Sequence, residues 1–364
     1  MIYLIGNFIL AFALLQLIAA LSNFLFKERL PSVDASEVLH SLSVLIPARD
    51  EEKNIGQLLS DLVKIPDHIS EIIVYDDQSA DNTASVVKEF AARDGRIKLI
   101  SGKELPDDWY GKNHACYQLS QETESDYILF LDADVRISGE VVGHAVKYME
   151  KRRCSMMSIF PTQEMKSFGE KITVPNMQII LVTLLSLPLV RLSGFPSLAA
   201  ANGQFMMFRH DTYKELDPHS KFRKSRAEDI EISRYMKRQR KKVSCLTGIK
   251  GVRCRMYHSA KDAVDGFSRN VTFFFGNSMI AAILYWLVTT LGFIVFLADG
   301  RTEALWIWLS TTILTRIFAS VTAAMKVSDN LLLWVPQQVM LGKFIVHSFL
   351  NSIKKSFSWK GRSI

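Results

Sequence analysis

A chain of 364 residues with 48% hydrophobic and 22% charged residues is too apolar for a disordered segment and too charged for a purely membranous one, and roughly 150 residues per domain allows about two units. Its net charge of +7 fits an anionic lipid surface or the positive-inside bias of membrane proteins. Nucleic-acid binding is set aside, because the basic clusters 151–153 and 237–242 lack interleaved aromatics and no helix-turn-helix or zinc-finger spacing occurs.

Residues 2–26 carry no charge and would span about 37 Å as a helix, enough for a hydrocarbon core of roughly 30 Å. With no basic region before it and no small-x-small pattern after it, this stretch reads as an uncleaved anchor. Lys27 and Arg29 place the downstream chain on the cytoplasmic side. Residues 42–270 then read as a soluble α/β domain. Short β-branched runs predict mostly parallel strands at 43–46, 71–75, 97–100, 127–131 and 155–160, and amphipathic stretches predict helices at 53–63, 82–92 and 139–149. In the first of these helices Ile55, Leu58, Leu59 and Leu62 form one stripe. Four cysteines, Cys116, Cys154, Cys245 and Cys254, show neither CxxC spacing nor disulfide density, which suits a reducing compartment.

Residues 172–190 are uncharged, yet Pro175 and Pro188 interrupt them. A helix lying at the membrane interface is expected there, with a buried core helix as the alternative. Beyond Arg269, residues 271–350 form a C-terminal membrane region. It holds predicted spans at 271–298 and 304–325, the second carrying only Arg316. The third apolar run, 331–350, contains Pro336, Gln337, Gln338, Lys343 and His347. A re-entrant or interface-lying hairpin is expected there, because a full span would carry Lys354, Lys355, Lys360 and Arg362 to the wrong side; residues 351–364 are then a basic cytosolic tail.

Acidic clusters follow the predicted strands in order: Arg49-Asp50-Glu51-Glu52, Asp76-Asp77, Asp132-Ala133-Asp134, and further on Glu228-Asp229. Any one alone is ordinarily a solvated loop or a helix cap. In an open sheet, however, ligands bind beyond the carboxyl ends of the strands. Alternation along the backbone points Asp132 and Asp134 the same way, as a site for a hard divalent cation and a diphosphate requires. Lys112, beside Gly111, adds a cation where such a diphosphate would lie.

The ordered series PARDEE, YDDQSADNT, DAD, NGQ and ED resembles the inverting family 2 glycosyltransferases of GT-A fold, over about residues 43–270. WYGKNHA, NGQFMMFRH, MYHSAKDAVDGFSRN and SWKGR further resemble the membrane enzymes that glycosylate carotenoids, the diaponeurosporenoate glycosyltransferases, and hopanoid-associated relatives. The resemblance implies a nucleotide-sugar-binding domain with a mostly parallel mixed sheet, flanked by helices and held by transmembrane helices at both ends. By it, Pro47, Ala48, Arg49 and Glu51 line the nucleotide pocket, Asp77 meets uracil, Asp132 faces ribose and diphosphate, and Lys112 touches the diphosphate. Asp134 would hold Mg2+ or Mn2+. Asn202, Gly203 and Gln204 would shape the sugar and acceptor site, and Asp229, preceded by Glu228, matches the catalytic base.

The chain departs from processive synthases in lacking a Gln-x-x-Arg-Trp motif; Phe267-Ser268-Arg269-Asn270 keeps the arginine and not the tryptophan. A single transfer is therefore expected. Arg269 would steady the leaving diphosphate, or serve only as a positive-inside residue at the edge of a span. The expected donor is UDP-glucose and the expected acceptor a lipid-like molecule, a carotenoid carboxylic acid by resemblance. Polyprenyl phosphate, hopanoid, sphingoid and diacylglycerol acceptors stay open, and a non-catalytic membrane scaffold or transporter is the rival of another class. His114, His210 and His258 lack metal-ligand spacing and read as structural or acceptor-lining.

Overall fold

The computed structural model describes residues 1–32, 40–65 and 68–354, and the backbone of 358–359 and 362–363. The helix α1 (Ile2–Leu25) leads into strand β1 (Leu42–Ala48), α2 (Ile55–Val63), β2 (Glu71–Asp76), α3 (Thr83–Ala91), β3 (Ile97–Ser101), α4 (Gly111–Ser120) and β4 (Tyr127–Leu131). Next come β5 (Val135–Ile137), α5 (Val141–Arg152), β6 (Met156–Phe160), β7 (Thr162–Gln163), and three short helices, α6 (Phe168–Thr173), α7 (Pro175–Leu184) and α8 (Leu187–Leu192). Strand β8 (Phe205–Arg209), α9 (His210–Leu216), α10 (Pro218–Lys221), α11 (Glu228–Arg238), β9 (Val243–Thr247), β10 (Val252–Cys254) and α12 (Ala260–Asn270) complete the α/β part of the chain.

Seven strands form one sheet in the order β3-β2-β1-β4-β8-β6-β9, parallel except for β8, which runs antiparallel to both neighbours. Alternation along the strands explains the layers. Val44, Ile46, Ile72 and Val74 point to one face, where the stripe Ile55, Leu58, Leu59 and Leu62 of α2 covers them. Leu45, Ile73, Ile128 and Phe130 point to the other, against Ala115, Cys116 and Leu119 of α4 and Ile232 and Met236 of α11. The expected strands form within a few residues of their predicted limits, as do the three expected helices, which are α2, α3 and α5; α4 between them was not expected. Strands β8, β9 and β10 are additional; β10 pairs with β5 and β7 in a small second sheet that sets Cys254 opposite Val135, next to Asp134.

Among the described residues, three helices are long and apolar enough to cross a membrane: α1, α13 (Met279–Ala298) and α14 (Thr302–Thr322). Helices α1 and α14 run side by side in the same direction. At one end Arg301 donates to Asn7 Oδ1 (2.8 Å) and to the Tyr3 carbonyl (3.3 Å). At the other, Lys27 donates to the Thr322 carbonyl (2.7 Å) and to Gly248 O (3.4 Å) of the soluble domain. Buried Arg316, the charge inside α14, bonds the Asn330 carbonyl (2.8 Å) and Gln337 Oε1.

Two stretches differ from expectation. Residues 172–190 are not one helix at the membrane interface. Pro175 and Pro188 each fall in the first turn of a helix, where a missing N–H is tolerated. The break between α7 and α8 is stitched by Asn23 of α1, which donates to Val182 O (2.8 Å) and Leu185 O (2.7 Å) and accepts from Leu187 N (2.7 Å). Met177, Ile180 and Val182 are buried, which makes α7 the core helix of the alternative reading; apolar exposure comes only afterwards, at Leu184, Leu189, Leu192 and Phe195.

The last apolar run is likewise no hairpin. After α15 (Val327–Leu332) it forms one continuous helix, α16 (Trp334–Lys354), with Pro336 in its first turn. Gln337 and Gln338 do not break it, because Gln337 Nε2 donates to Lys171 O (2.9 Å) and Asn330 Oδ1 (3.0 Å), and Gln338 accepts from Trp286 and Thr290 at 2.8 Å. Of the basic tail, Lys355 and Lys360 lie outside the described residues.

Candidate functional site

Parallel pairing brings the acidic loops together at one rim. The register Ala48↔Asp76 ends β1 and β2 side by side, so that Asp77 N donates to Ala48 O (2.8 Å) and Arg49 reaches the Asp77 carbonyl (2.6 Å). On the other side of β1, β4 ends at Leu131, and antiparallel pairing of Leu131 with Phe205 places Asn202-Gly203-Gln204 beside Asp132-Ala133-Asp134. A single cavity of about 740 Å³ opens over this rim. Pro47, Ala48, Arg49, Glu51, Asp77, Lys112, Asp132, Asp134, Asn202, Gly203, Gln204, Glu228, Asp229 and Arg269, residues spread over 223 positions from 47 to 269, all line it.

Lys112 sits at the centre, 2.7 Å from Asp132 Oδ1 and 3.7 Å from Glu228 Oε1. Burial works against its charge, but Asp132 and Glu228 hold its pKa above the ordinary lysine value, so it stays protonated. Gly203 fills the narrow space beside it: a Cβ there would stand 3.0 Å from Lys112 Nζ and 3.3 Å from Glu228 Oε1. Asn113, to which the sequence motifs assign no role, fixes this geometry. Its buried amide donates to Phe222 O (2.9 Å) and Ser225 O (3.0 Å), tying α4 to the loop that delivers Glu228.

Asp229 is held from two sides, by Gly203 N (3.0 Å) and Ile230 N (2.8 Å). Burial raises its pKa against those bonds. Burial also raises Glu228, to about 7, although Lys112 pulls the other way. Asp134 is pushed up to about 6, first by burial and then by the Asp132 and Glu51 carboxylates. Such a cluster of carboxylates, costly when ionised together, suits a cation.

Among the described residues no three His, Cys, Asp or Glu side chains converge as a metal cage. Asp134 still fits a hard cation. Gln204 Nε2 lies 3.4 Å from both of its oxygens, and Oε1 of the same amide is buried without a hydrogen-bond partner, an oxygen donor beside a carboxylate. An incomplete protein set is what a cation requires when it completes its shell with diphosphate oxygens and water. Cys254 Sγ accepts from Gln204 Nε2 at 2.9 Å, a contact that no sequence motif signals.

The cavity has a second character. Phe160, Val174, Met177, Ile180, Leu181, Leu184 and Phe274 form an apolar side toward α7 and the segment after α12. Arg226, Arg234, Arg255, Tyr257 and His258 also line the cavity. Of these only His258 is singled out in the sequence, as a structural or acceptor-lining residue. Arg255 is engaged by the wholly buried Glu170, at 2.8 Å.

Residues 43–217 match the family described as Glycosyl transferase family 2. A 4,4'-diaponeurosporenoate glycosyltransferase of Staphylococcus haemolyticus is 36% identical over 127 residues, 34% of this chain and 33% of that protein. One of Staphylococcus aureus is 33% identical over 132 residues, 36% of this chain and 34% of that protein. These matches thus span about a third of the relatives' length. A solved mannosyltransferase of Pyrobaculum calidifontis, in complex with GDP-Man and Mn2+, superposes with a TM-score of 0.59 at 14% identity, covering 96% of this chain and 99% of that one. The likeness bears out the GT-A fold expected from the motifs.

Proposed function

We propose that this chain, whose residues 43–217 carry a glycosyl transferase family 2 domain, is an inverting, non-processive glycosyltransferase. It moves one hexose, glucose from UDP-glucose, to a lipophilic acceptor held in the membrane. The carrying observation is the single cavity with two characters: carboxylates and Lys112 on one side, Met177, Ile180, Leu181 and Phe274 on the other, above helices able to span a bilayer. A carotenoid carboxylic acid is the acceptor we favour, on the likeness to proteins named diaponeurosporenoate glycosyltransferases.

In this reading the rim residues Ala48, Arg49 and Asp77 hold the nucleoside, and Lys112 and Asp132 flank the diphosphate. Mg2+ or Mn2+, bound by Asp134 with Gln204 beside it, would neutralise charge on the departing diphosphate. The acceptor oxygen forms a bond to the anomeric carbon as the bond from that carbon to the β-phosphate oxygen breaks, and the electron pair leaves on UDP. Attack from the opposite face inverts the centre. For a carboxylate nucleophile no proton needs removing, and Asp229 then orients the acceptor; for a hydroxyl, Asp229 must act as base. The soluble domain lies on the cytoplasmic side, where Lys27 and Arg29 follow α1.

The test offers membranes carrying the chain several labelled nucleotide sugars and a mixed lipid extract containing a carotenoid acid. The expected outcome is one labelled, singly modified lipid formed from UDP-glucose. A labelled polymer would overturn the single-transfer reading, and failure to bind any uridine nucleotide, with or without metal, would overturn the enzyme reading.

A further inference from the structure

The cavity wall carries six Lys or Arg side chains: Arg49, Lys112, Arg226, Arg234, Arg255 and Arg269. Five have partners within the protein. Lys112 is bound to Asp132, Arg255 to Glu170 and Arg49 to the Asp77 carbonyl, while Arg226 and Arg269 also make contacts of their own. Arg234 makes no hydrogen bond or ion pair among the described residues, although it lies half-buried on the lining. A guanidinium is always charged near neutrality and presents several donors in a fixed fork, so an unengaged one in a cavity wall is a receptor for an anion.

Its place in the fold says which anion. Arg234 follows Ile230 by one turn of α11, so the two share a face, and both line the cavity. Helical side chains lean toward the N-terminus, which on α11 is the end bearing Glu228 and Asp229. On either side of Arg234, Ser233 donates to Ala200 O (3.2 Å) and Lys237 to Leu198 O (2.6 Å). This flank therefore runs along residues 197–200, whose Ser197 and Ala199 line the cavity with Leu184 and Leu185. The diphosphate belongs at the strand ends, around Asp132, Asp134 and Lys112. Arg234 instead lines the cavity one turn of α11 beyond Ile230, on the flank that runs along residues 197–200.

We propose that Arg234 is a specificity-determining residue that binds the carboxylate head of a lipophilic acid acceptor. The inference rests on the acceptor reading above and deepens it. The head group's charge is matched by Arg234, its apolar tail lies along Met177, Ile180 and Phe274, and one carboxylate oxygen stays free for the anomeric carbon. An alcohol or ester of the same shape lacks the charge that Arg234 meets.

The experiment measures binding of all-trans-retinoic acid and its methyl ester to the full-length chain in detergent, by quenching of tryptophan fluorescence. The acid, ionised at pH 7.5, is expected to bind about 10- to 100-fold more tightly than the ester, as charged hydrogen bonds allow. Arg234→Gln should bring the acid down to the ester's affinity, leaving the ester and UDP affinities unchanged, and Arg234→Lys should restore part of the preference. Equal affinities in the wild-type chain, a preference that survives in Arg234→Gln, or an equal loss of acid, ester and UDP would overturn the assignment. A wild-type chain that binds neither polyene while binding UDP would instead overturn the acceptor reading beneath it.

Discussion

In the proposed reaction Asp229 is the side chain on which the chemistry turns, and its two backbone hydrogen bonds give it a fixed aim. Removing a positioned base costs about 10²–10⁴-fold for a hydroxyl nucleophile. Asp229→Asn is therefore expected to slow transfer to a polyene alcohol by about that factor and transfer to the corresponding acid far less, a contrast read directly from initial rates on the paired acceptors. Asp134 supplies a pH test. Its pKa of about 6 means that it is protonated below that value and ionised above it. Because the cation needs the ionised form, Mn2+ affinity without nucleotide should rise between pH 5 and 7 and level off above, as followed by paramagnetic resonance; a flat profile would remove Asp134 from the site. Gly203→Ala should weaken UDP-sugar binding with little change in thermal stability, since the added methyl meets Lys112 Nζ and Glu228 in place of the core. The carboxylates among these residues were legible in the sequence because each follows a strand end in a recognisable series. Asn113 and Arg234 were not, since their value lies in what they face across the cavity, and spacing along the chain carries no trace of that.

Among the elements, the first five strands read from the sequence and the helices α2, α3 and α5 were readable because each has a single apolar stripe or an alternating face, whereas α4, with no such stripe, and the short β5 were not. Strands β8, β9 and β10 were not, because their partners lie far away in sequence: Phe205 pairs with Leu131, and Cys254 with Val135. The two misread apolar stretches share one cause. Prolines and glutamines in 172–190 and 331–350 look like interruptions in one dimension, yet the prolines open helices and the glutamines bond neighbours that only the folded chain supplies. Asn23 makes the point testable. Asn23→Leu would leave Val182 O, Leu185 O and Leu187 N without their partner, at about 1–3 kcal/mol for each buried group left unmet. A clear fall in unfolding temperature in detergent is expected, whereas Phe8→Leu, on an exposed part of the same helix, should leave it unchanged.

At the scale of the whole molecule, the bonds from Arg301 to the start of α1 and from Lys27 to the end of α14 define two ends of the bundle of apolar helices. The soluble domain stands at the Lys27 end. All four cysteines are buried and free, so the native chain gives little thiol background. Single cysteines at exposed Thr302 and Lys103 are expected to react from opposite sides of sealed vesicles with a membrane-impermeant maleimide. Labelling of both from one side would refute a bundle that crosses the bilayer.

The exposed run Leu184, Leu189, Leu192 and Phe195 borders the apolar side of the cavity. In the proposed reaction the acid acceptor would enter with an oily tail and one charged end, and the transfer would exchange that charge for a hexose. The new hydroxyls seek water while the tail keeps its affinity for hydrocarbon, so the proposed product would settle head-up in the facing leaflet.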